Sequence, residues 1–196
     1  MSLEVPLFPL HLVLFPGGPL PLRIFEPRYL SMVSDCMRND RPFGVVLITQ
    51  GGETGEAAQT HDVGTLARIT DWDQGDDGLL SITGLGTQRF RVLRRQVQAD
   101  QLSTAEIELL PEPEPLVIPE QYQAQADWLA QVLPTLEPYQ GLPLEDDADW
   151  LSYRLAELLP LKPSQRQILL EQADPLVRLE QVGRMFDTLR ASAGSL

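Results

Sequence analysis

Apolar positions along this chain follow two different rhythms. Through residue 110 they come as short runs broken by glycine and proline, and beyond it they recur every three or four residues. The opening sets the first pattern: Val5-Pro6-Leu7-Phe8-Pro9-Leu10, then Val13-Leu14-Phe15-Pro16-Gly17-Gly18, then Leu20-Pro21-Leu22-Arg23-Ile24-Phe25. Proline cannot donate to a sheet ladder, so these runs belong at sheet edges, at strand starts or in extended crossings. At Phe25-Glu26-Pro27-Arg28-Tyr29 a helix is expected to begin, because Pro27 suits the first helical turn and Glu26 puts a carboxylate at the positive helix end. Tyr29, Leu30, Val33 and Met37 follow at helical spacing with Met32 and Cys36 beside them, and Phe25 and Leu30 are placed to close over the helix start as a staple. The helix should stop near Asn39-Asp40-Arg41-Pro42.

The run at residues 43–49 reads as a buried strand and Gly51-Gly52-Glu53-Thr54-Gly55-Glu56 as a loop. A strand opens at Gly64-Thr65 and carries Leu66, Arg68, Thr70 and Trp72, with Ala67 and Ile69 facing the other way. Asp76-Asp77-Gly78 turns it into a strand at residues 79–83, the clearest hairpin in the chain. Gly84-Leu85-Gly86 should then bend the backbone before a strand at residues 88–93, and alternating Ala105, Ile107 and Leu109 mark the last one. Several short strands with one helix predict a small closed or half-closed barrel rather than a parallel sheet. Eleven of the fourteen glycines lie in this first part. Pro111-Glu112-Pro113-Glu114-Pro115 is an extended linker. Four short helices are expected after it: from Pro119 through Trp128, Leu129, Val132 and Leu133; from a cap at Asp149 through Leu151, Leu155, Leu158 and Leu159; from Ser164 through Ile168, Leu169 and Leu170; and from Asp174-Pro175 through Leu176, Leu179, Val182, Phe186 and Leu189. These stripes would bury against one another as a bundle. The chain is thus α+β, with a barrel subdomain at 1–110, a Pro/Glu linker at 111–118 and a helical subdomain at 119–196.

Composition narrows the functional classes. With 43% apolar residues the chain is an ordinary globular protein, and no apolar run approaches the roughly 18 residues that span a bilayer. The start of the sequence shows no basic region or small-residue cleavage site, and Cys36 has no second cysteine to pair with. A reducing cytoplasm is the expected compartment, without a membrane partner. Net charge is −13, and Lys162 is the single lysine among 15 basic residues. That balance keeps the chain soluble and opposes nucleic-acid binding, which needs clustered Lys and Arg.

Catalytic constellations are missing. A phosphate loop needs Gly-Lys-Ser/Thr, and Lys162 stands between Leu161 and Pro163. Gly84-Leu85-Gly86 lacks the third glycine of a dinucleotide fingerprint, since position 89 is Arg. Cys36, His11 and His61 do not stand at metal-ligand spacing, so neither metal nor cofactor is expected. Cys36 in an apolar helix reads as a structural thiol, Ser164 near Lys162 reads as a helix cap, and Asp71, Asp73, Asp76 and Asp77 read as a solvated hairpin tip.

The opening proline-rich string resembles the N-terminal substrate-binding domain of the Lon protease, from Pro6-Leu7-Phe8-Pro9-Leu10 to Glu26-Pro27-Arg28-Tyr29. Phe43-Gly44-Val45, Val63-Gly64-Thr65-Leu66-Ala67-Arg68-Ile69, Asp77-Gly78, Gly86 with Arg89-Phe90-Arg91-Val92, and Arg166-Gln167-Ile168-Leu169-Leu170-Glu171 with Arg178-Leu179 extend the likeness over nearly the whole chain. It departs at Leu102-Ser103, where the family often carries an aromatic residue. The resemblance implies a PUA-like pseudo-barrel followed by a helical bundle, and recognition of exposed or unfolded polypeptide. It transfers no catalysis: the ATPase and Ser-Lys peptidase modules of full-length Lon have no counterpart in these residues.

The expected function is therefore non-catalytic binding of unfolded or exposed polypeptide segments, or of a partner protein as an adaptor. The groove would lie near the proline-rich segment and the first helix, or along an open barrel edge. Phe8, Phe15, Leu20, Phe25 and Tyr29 are the available anchors, with Arg28 as polar partner, and the core competes for every one of them. An RNA-binding PUA-like module and an uncharacterised hydrolase are the alternatives, the first opposed by the charge and the second by the absence of a nucleophile–base pair.

Overall fold

The computed structural model describes residues 3–75 and 79–193. They form a seven-stranded sheet followed by helices, in two compact units, Met1–Glu112 and Pro113–Leu196. The turn expected at Asp76-Asp77-Gly78 lies outside the described residues.

In the first unit, β1 (Leu3–Leu10) is followed by β2 (Pro19–Ile24), α1 (Pro27–Asn39), β3 (Phe43–Gln50), β4 (Gln59–Thr60), β5 (Val63–Gln74), β6 (Leu80–Val97) and β7 (Ser103–Leu109). The strands run in the order β1-β7-β6-β5-β3-β4, and a further β1–β3 pairing closes five of them into a ring. The closing strand is the first proline-rich run. Its residues Leu3–Pro6 pair antiparallel with β7, while Leu7–Leu10 pair parallel with β3. Each half of β1 has a ladder on one side, so Pro6 and Pro9 can direct the missing N–H to the other side. β2 is the edge strand that the prolines predict, paired among the described residues only to β6.

Two cores lie on opposite faces of β1, β3 and β5. Val5, Leu7, Val46, Leu66, Phe90, Ala105 and Ile107 fill one. Phe8, Leu10, Phe43, Val45 and Ala67 face the other, together with Leu20 and Ile24 of β2 and the apolar stripe of α1. Burial on both faces is why residues 43–48 are continuously apolar rather than alternating. The α1 stripe is Tyr29, Met32, Val33 and Cys36; Leu30 and Met37, expected in it, are 37% exposed because they fall on its flanks. The helix starts at Pro27 after an extended Glu26 and ends where Asp40 turns left-handed at φ 49°. Phe25 is 59% exposed, so the expected staple with Leu30 is not buried.

The bend expected at Gly84-Leu85-Gly86 does not interrupt the strand, since β6 runs unbroken from Leu80 to Val97. Its irregularity appears as register shifts against β5, which absorb the twist without ending the ladder. Gly86 serves close approach instead. Its N–H donates to Gly18 O and Gly17 N–H donates to its carbonyl, both at 2.8 Å. A Cβ at Gly86 would stand 2.2 Å from Phe15 O. Thr65 Oγ1 ties the same crossing segment to β5 through Leu14 O at 2.6 Å.

The second unit contains α2 (Gln123–Val132), α3 (Ala148–Leu158), α4 (Pro163–Glu171) and α5 (Pro175–Ala193), with 3₁₀ turns at Glu120–Tyr122, Leu133–Thr135 and Glu137–Tyr139. Three caps differ in detail from expectation or confirm it. Asp147, not Asp149, caps α3 by accepting from Trp150 N–H at 2.9 Å. α4 starts one residue before Ser164, at Pro163, with Gln165 Oε1 accepting the Lys162 N–H at 2.9 Å. Asp174 opens α5 as expected, accepting from Leu176 N–H at 2.9 Å. Of the expected linker, Leu116 N–H donates to Asp147 Oδ2 at 2.9 Å and Leu116 O accepts from Ala148 N–H at 2.7 Å, so this part is anchored to the start of α3.

Leu151, Leu155, Leu169, Leu170, Leu179, Val182 and Phe186 are buried as the stripes predict, whereas Ile168 is 62% exposed. Charged side chains share this interior. Arg178, fully buried, pairs with Asp149, donates from Nε to Ser152 Oγ at 2.7 Å and lies 3.9 Å from the Tyr153 ring centroid. Arg154 Nη2 meets Glu157 Oε1 at 2.9 Å, Tyr139 OH donates to Glu157 Oε2 at 3.1 Å, and Arg166 Nη2 donates to Glu157 O at 3.0 Å. Burial pushes the Glu157 carboxyl up to about 7 against the opposing pull of Arg154.

Two outcomes follow from this packing. Gly86→Ala should lose about 1–3 kcal/mol in denaturant unfolding, because the new methyl meets backbone that cannot move aside. Glu157 binds its proton more tightly folded than unfolded, so its contribution to stability is full below its ordinary value of 4.5 and is lost as pH rises through about 7. Relative to wild type, Glu157→Gln should therefore melt at a progressively higher temperature between those limits. Parallel melting profiles would contradict it.

Candidate functional site

Apolar side chains needed by the two cores cannot also meet a ligand, so burial sorts the six expected contact residues. Phe8 is stacked on Tyr29 with ring centroids 4.1 Å apart and leans on Phe43 at 6.0 Å. Phe15 and Leu20 are buried in the same way. Arg28, 6% exposed, bridges backbone and side chain: Nη1 donates to Gln101 O at 2.9 Å, Nη2 meets Glu26 Oε2 at 3.1 Å, and its guanidinium stands 4.7 Å from the Tyr29 ring centroid. Burial raises the Tyr29 hydroxyl above its ordinary pKa. Five of the six are therefore taken up by the interior of the fold. Phe25 alone stands in solvent.

The chemistry-bearing residues resolve in the same direction. Cys36 is buried against the sheet, and burial pushes its thiol up to about 11, the reverse of what a nucleophile requires. Ser164 is exposed in the first turn of α4. Among the described residues no group of three or more His, Cys, Asp or Glu could hold a metal ion. Asp71 and Asp73 lie exposed on β5; Asp76 and Asp77 of the expected acidic cluster lie outside the described residues.

What sequence reasoning missed is Trp72. It is 56% exposed on β5, paired in register with Ile82 of β6, which in turn pairs with Leu22 of β2. Trp72, Pro21, Leu22 and Arg23 line an open depression of about 400 Å³. A smaller one, of about 70 Å³, lies beside Phe25 and is walled by Leu22, Arg23, Glu26 and Glu53. The two share Leu22 and Arg23 of edge strand β2, with Phe25 just past its end and Trp72 two strands away on β5. The signal available in sequence was a tryptophan on a strand whose neighbours, Asp71 and Asp73, are both charged.

Strand addition is blocked along β2. Gly18 O accepts from Gly86 N–H, which sets the even-numbered residues of β2 to bond β6 and turns the odd-numbered ones outward. Pro19 and Pro21 are therefore outward and present no N–H to a docking strand. A strand pairing along β2 would lack these two donors.

The chain is similar to several known proteins. The family of the ATP-dependent protease La (LON) substrate-binding domain matches residues 4–188. The Lon N-terminal domain protein from Xanthomonas campestris is 39% identical, with a TM-score of 0.77 over 92% of this chain and 96% of that one. The N-terminal domain of the Mycobacterium avium complex Lon protease shares the fold at 15% identity, with a TM-score of 0.62 over 91% of this chain and 95% of that one. Cereblon of Xenopus tropicalis is 30% identical over 164 residues, 80% of this chain but 35% of cereblon, and Lon protease 2 of Myxococcus xanthus is 33% identical over 50% of this chain and 12% of that protease. The chain thus spans about a third or less of these curated relatives.

Truncation separates core from surface. Phe8→Ala should cost about 3–5 kcal/mol of unfolding free energy, and Phe25→Ala should stay within about 0.5 kcal/mol of wild type. A comparable loss at both positions would place Phe25 in the core.

Proposed function

The chain belongs to the Lon substrate-binding domain family, and on that premise we propose that it is a non-catalytic recognition module for exposed or unfolded polypeptide, working as an adaptor in the cytoplasm. The observation that carries this reading is the pair of exposed rings, Phe25 and Trp72, flanking the apolar depressions on β2. A large aromatic left in water on a sheet is a characteristic contact residue of recognition surfaces. The closed sheet with α1 serves as a PUA-like pseudo-barrel that holds the surface rigid, and the helices after it as a bundle. We assign the barrel to residues 1–110, the linker to 111–118 and the helical part to 119–196.

Binding without chemistry fits the side chains available. The thiol of Cys36 is buried and its pKa raised, and Ser164 and Lys162 both stand at the exposed start of α4. The charge of −13 fits a protein partner better than a nucleic acid. Contacts limited to two rings and their aliphatic neighbours bury little area, so affinity should be micromolar or weaker. Of the side chains first expected to make contact, Phe25 remains.

Fluorescence anisotropy with a labelled, permanently unfolded polypeptide tests the proposal. Saturable binding to the full chain in the micromolar range is expected, weakened about tenfold in a Phe25→Ala/Trp72→Ala double variant. Absence of binding at high micromolar concentration would sink it.

A further inference from the structure

An apolar depression of about 580 Å³ opens in the second unit, between α2, the end of α3 and α5. Trp128, Leu158, Pro160, Phe186 and Leu189 line it. Phe186 is buried and meets the Trp128 ring edge-on, with centroids 5.1 Å apart, which fixes the floor. Leu189 stays 39% exposed, so apolar surface is left in water beside it. The polar side chains on the wall are Gln131 and Arg190. No acidic residue lines the depression, in a chain with 28 acidic and 15 basic residues. The other arginines of α5 are engaged, Arg178 with Asp149 and Arg184 with Glu180. Among the described residues Arg190 has no such partner, and Asp187, the acidic residue nearest to it in sequence, accepts from Gln125 Nε2 at 3.0 Å.

We infer that this depression holds the carboxyl-terminal end of a polypeptide whose last residue is large and apolar. The site shares no residue with the surface of Phe25 and Trp72, and it rests on the recognition reading only for the class of ligand. The final side chain would lie against Trp128 and Phe186, and the α-carboxylate would take the forked donors of Arg190, whose planar geometry matches a carboxylate. Phe186, Leu189 and Arg190 share one face of α5 and span about 6 Å of its axis. A terminal residue carries side chain and carboxylate on one Cα, so it alone can reach both ends of that span, whereas an internal segment needs two residues. Gln131 offers an amide donor and acceptor to the last peptide group, which a fatty acid lacks. The negative end of α3, which would oppose a carboxylate, is offset by Arg166, whose Nη2 donates to Glu157 O at 3.0 Å and to Leu159 O at 3.1 Å.

A short peptide labelled at its N-terminus and ending in leucine-phenylalanine, compared as free acid and as C-terminal amide by fluorescence anisotropy with the full chain, tests this. The free acid should bind about fivefold more tightly than the amide. The same peptide ending in two serines should bind at least about tenfold more weakly than the phenylalanine acid. Arg190→Gln, at an exposed position, should bring the free acid down to the affinity of the amide and leave the amide unchanged. The Phe25→Ala/Trp72→Ala variant should change neither. Equal affinity of acid and amide would overturn the carboxylate contact, and discrimination that survives Arg190→Gln would refute its assignment to Arg190. Displacement of the bound peptide by an equimolar fatty acid would make the ligand a lipid and overturn the polypeptide end. If neither peptide form binds while the unfolded polypeptide does, this site falls and the recognition reading stands. Loss of peptide binding in the Phe25→Ala/Trp72→Ala variant would move the contact to that surface and overturn the assignment to the helical unit.

Discussion

Closure of the sheet depends on β1 holding two partners in succession. Its first half is antiparallel to β7 and its second half parallel to β3, and the change occurs between Pro6 and Leu7. Without the second pairing, β1 and β3 would each present an open edge, and the core of Val5, Leu7, Val46, Phe90 and Ile107 would be exposed along the seam. The same closure places Phe8 and Leu10 on the opposite face, where α1 covers them. Both cores therefore rest on eight residues whose prolines are compatible with a strand bonded on one side at a time.

Glycine and side-chain hydroxyl contacts hold the crossing between β1 and β2 against that ring. Gly86 bonds Gly17 and Gly18 where a larger residue would strike Phe15 O, and Thr65 anchors Leu14 O. This fixes the start of β2, and hence the register that sets Leu22 across from Ile82 and Trp72. The position of the exposed rings is thus a consequence of backbone contacts made inside the fold. In the second unit, comparable order comes from buried ions. Arg178 joins α5 to Asp149 and Ser152 of α3, and Arg154 and Arg166 surround Glu157. A buried charge is tolerated only with partners of this quality, and removing one partner is far more damaging than the pair itself is stabilising.

Much of this was legible before any coordinates. The helix start at Glu26-Pro27, its end before Pro42, the hairpin strands β5 and β6, and the cap at Asp174 follow from proline, glycine and short polar side chains acting on their own neighbours. The displaced caps at Asp147 and Lys162 each lie two residues before the expected one. The candidate site was less legible, for a reason of geometry. Phe8, Phe15, Leu20 and Tyr29 look like anchors in sequence, and so does any core residue of a segment buried on both faces.

The sequence by itself determined where the backbone could bond and where it could not, because proline and glycine act locally. It thereby determined the edge strand, the helix boundaries and the apolar supply of two cores. Only the tertiary structure decided which apolar residues those cores consumed. Phe25 and Phe8 have the same chemistry, yet one is 59% exposed and the other 6%. That difference arises from what faces each ring across the fold, which no local pattern encodes. The same holds for Arg178, whose burial is made possible by a carboxylate 29 residues away in the chain.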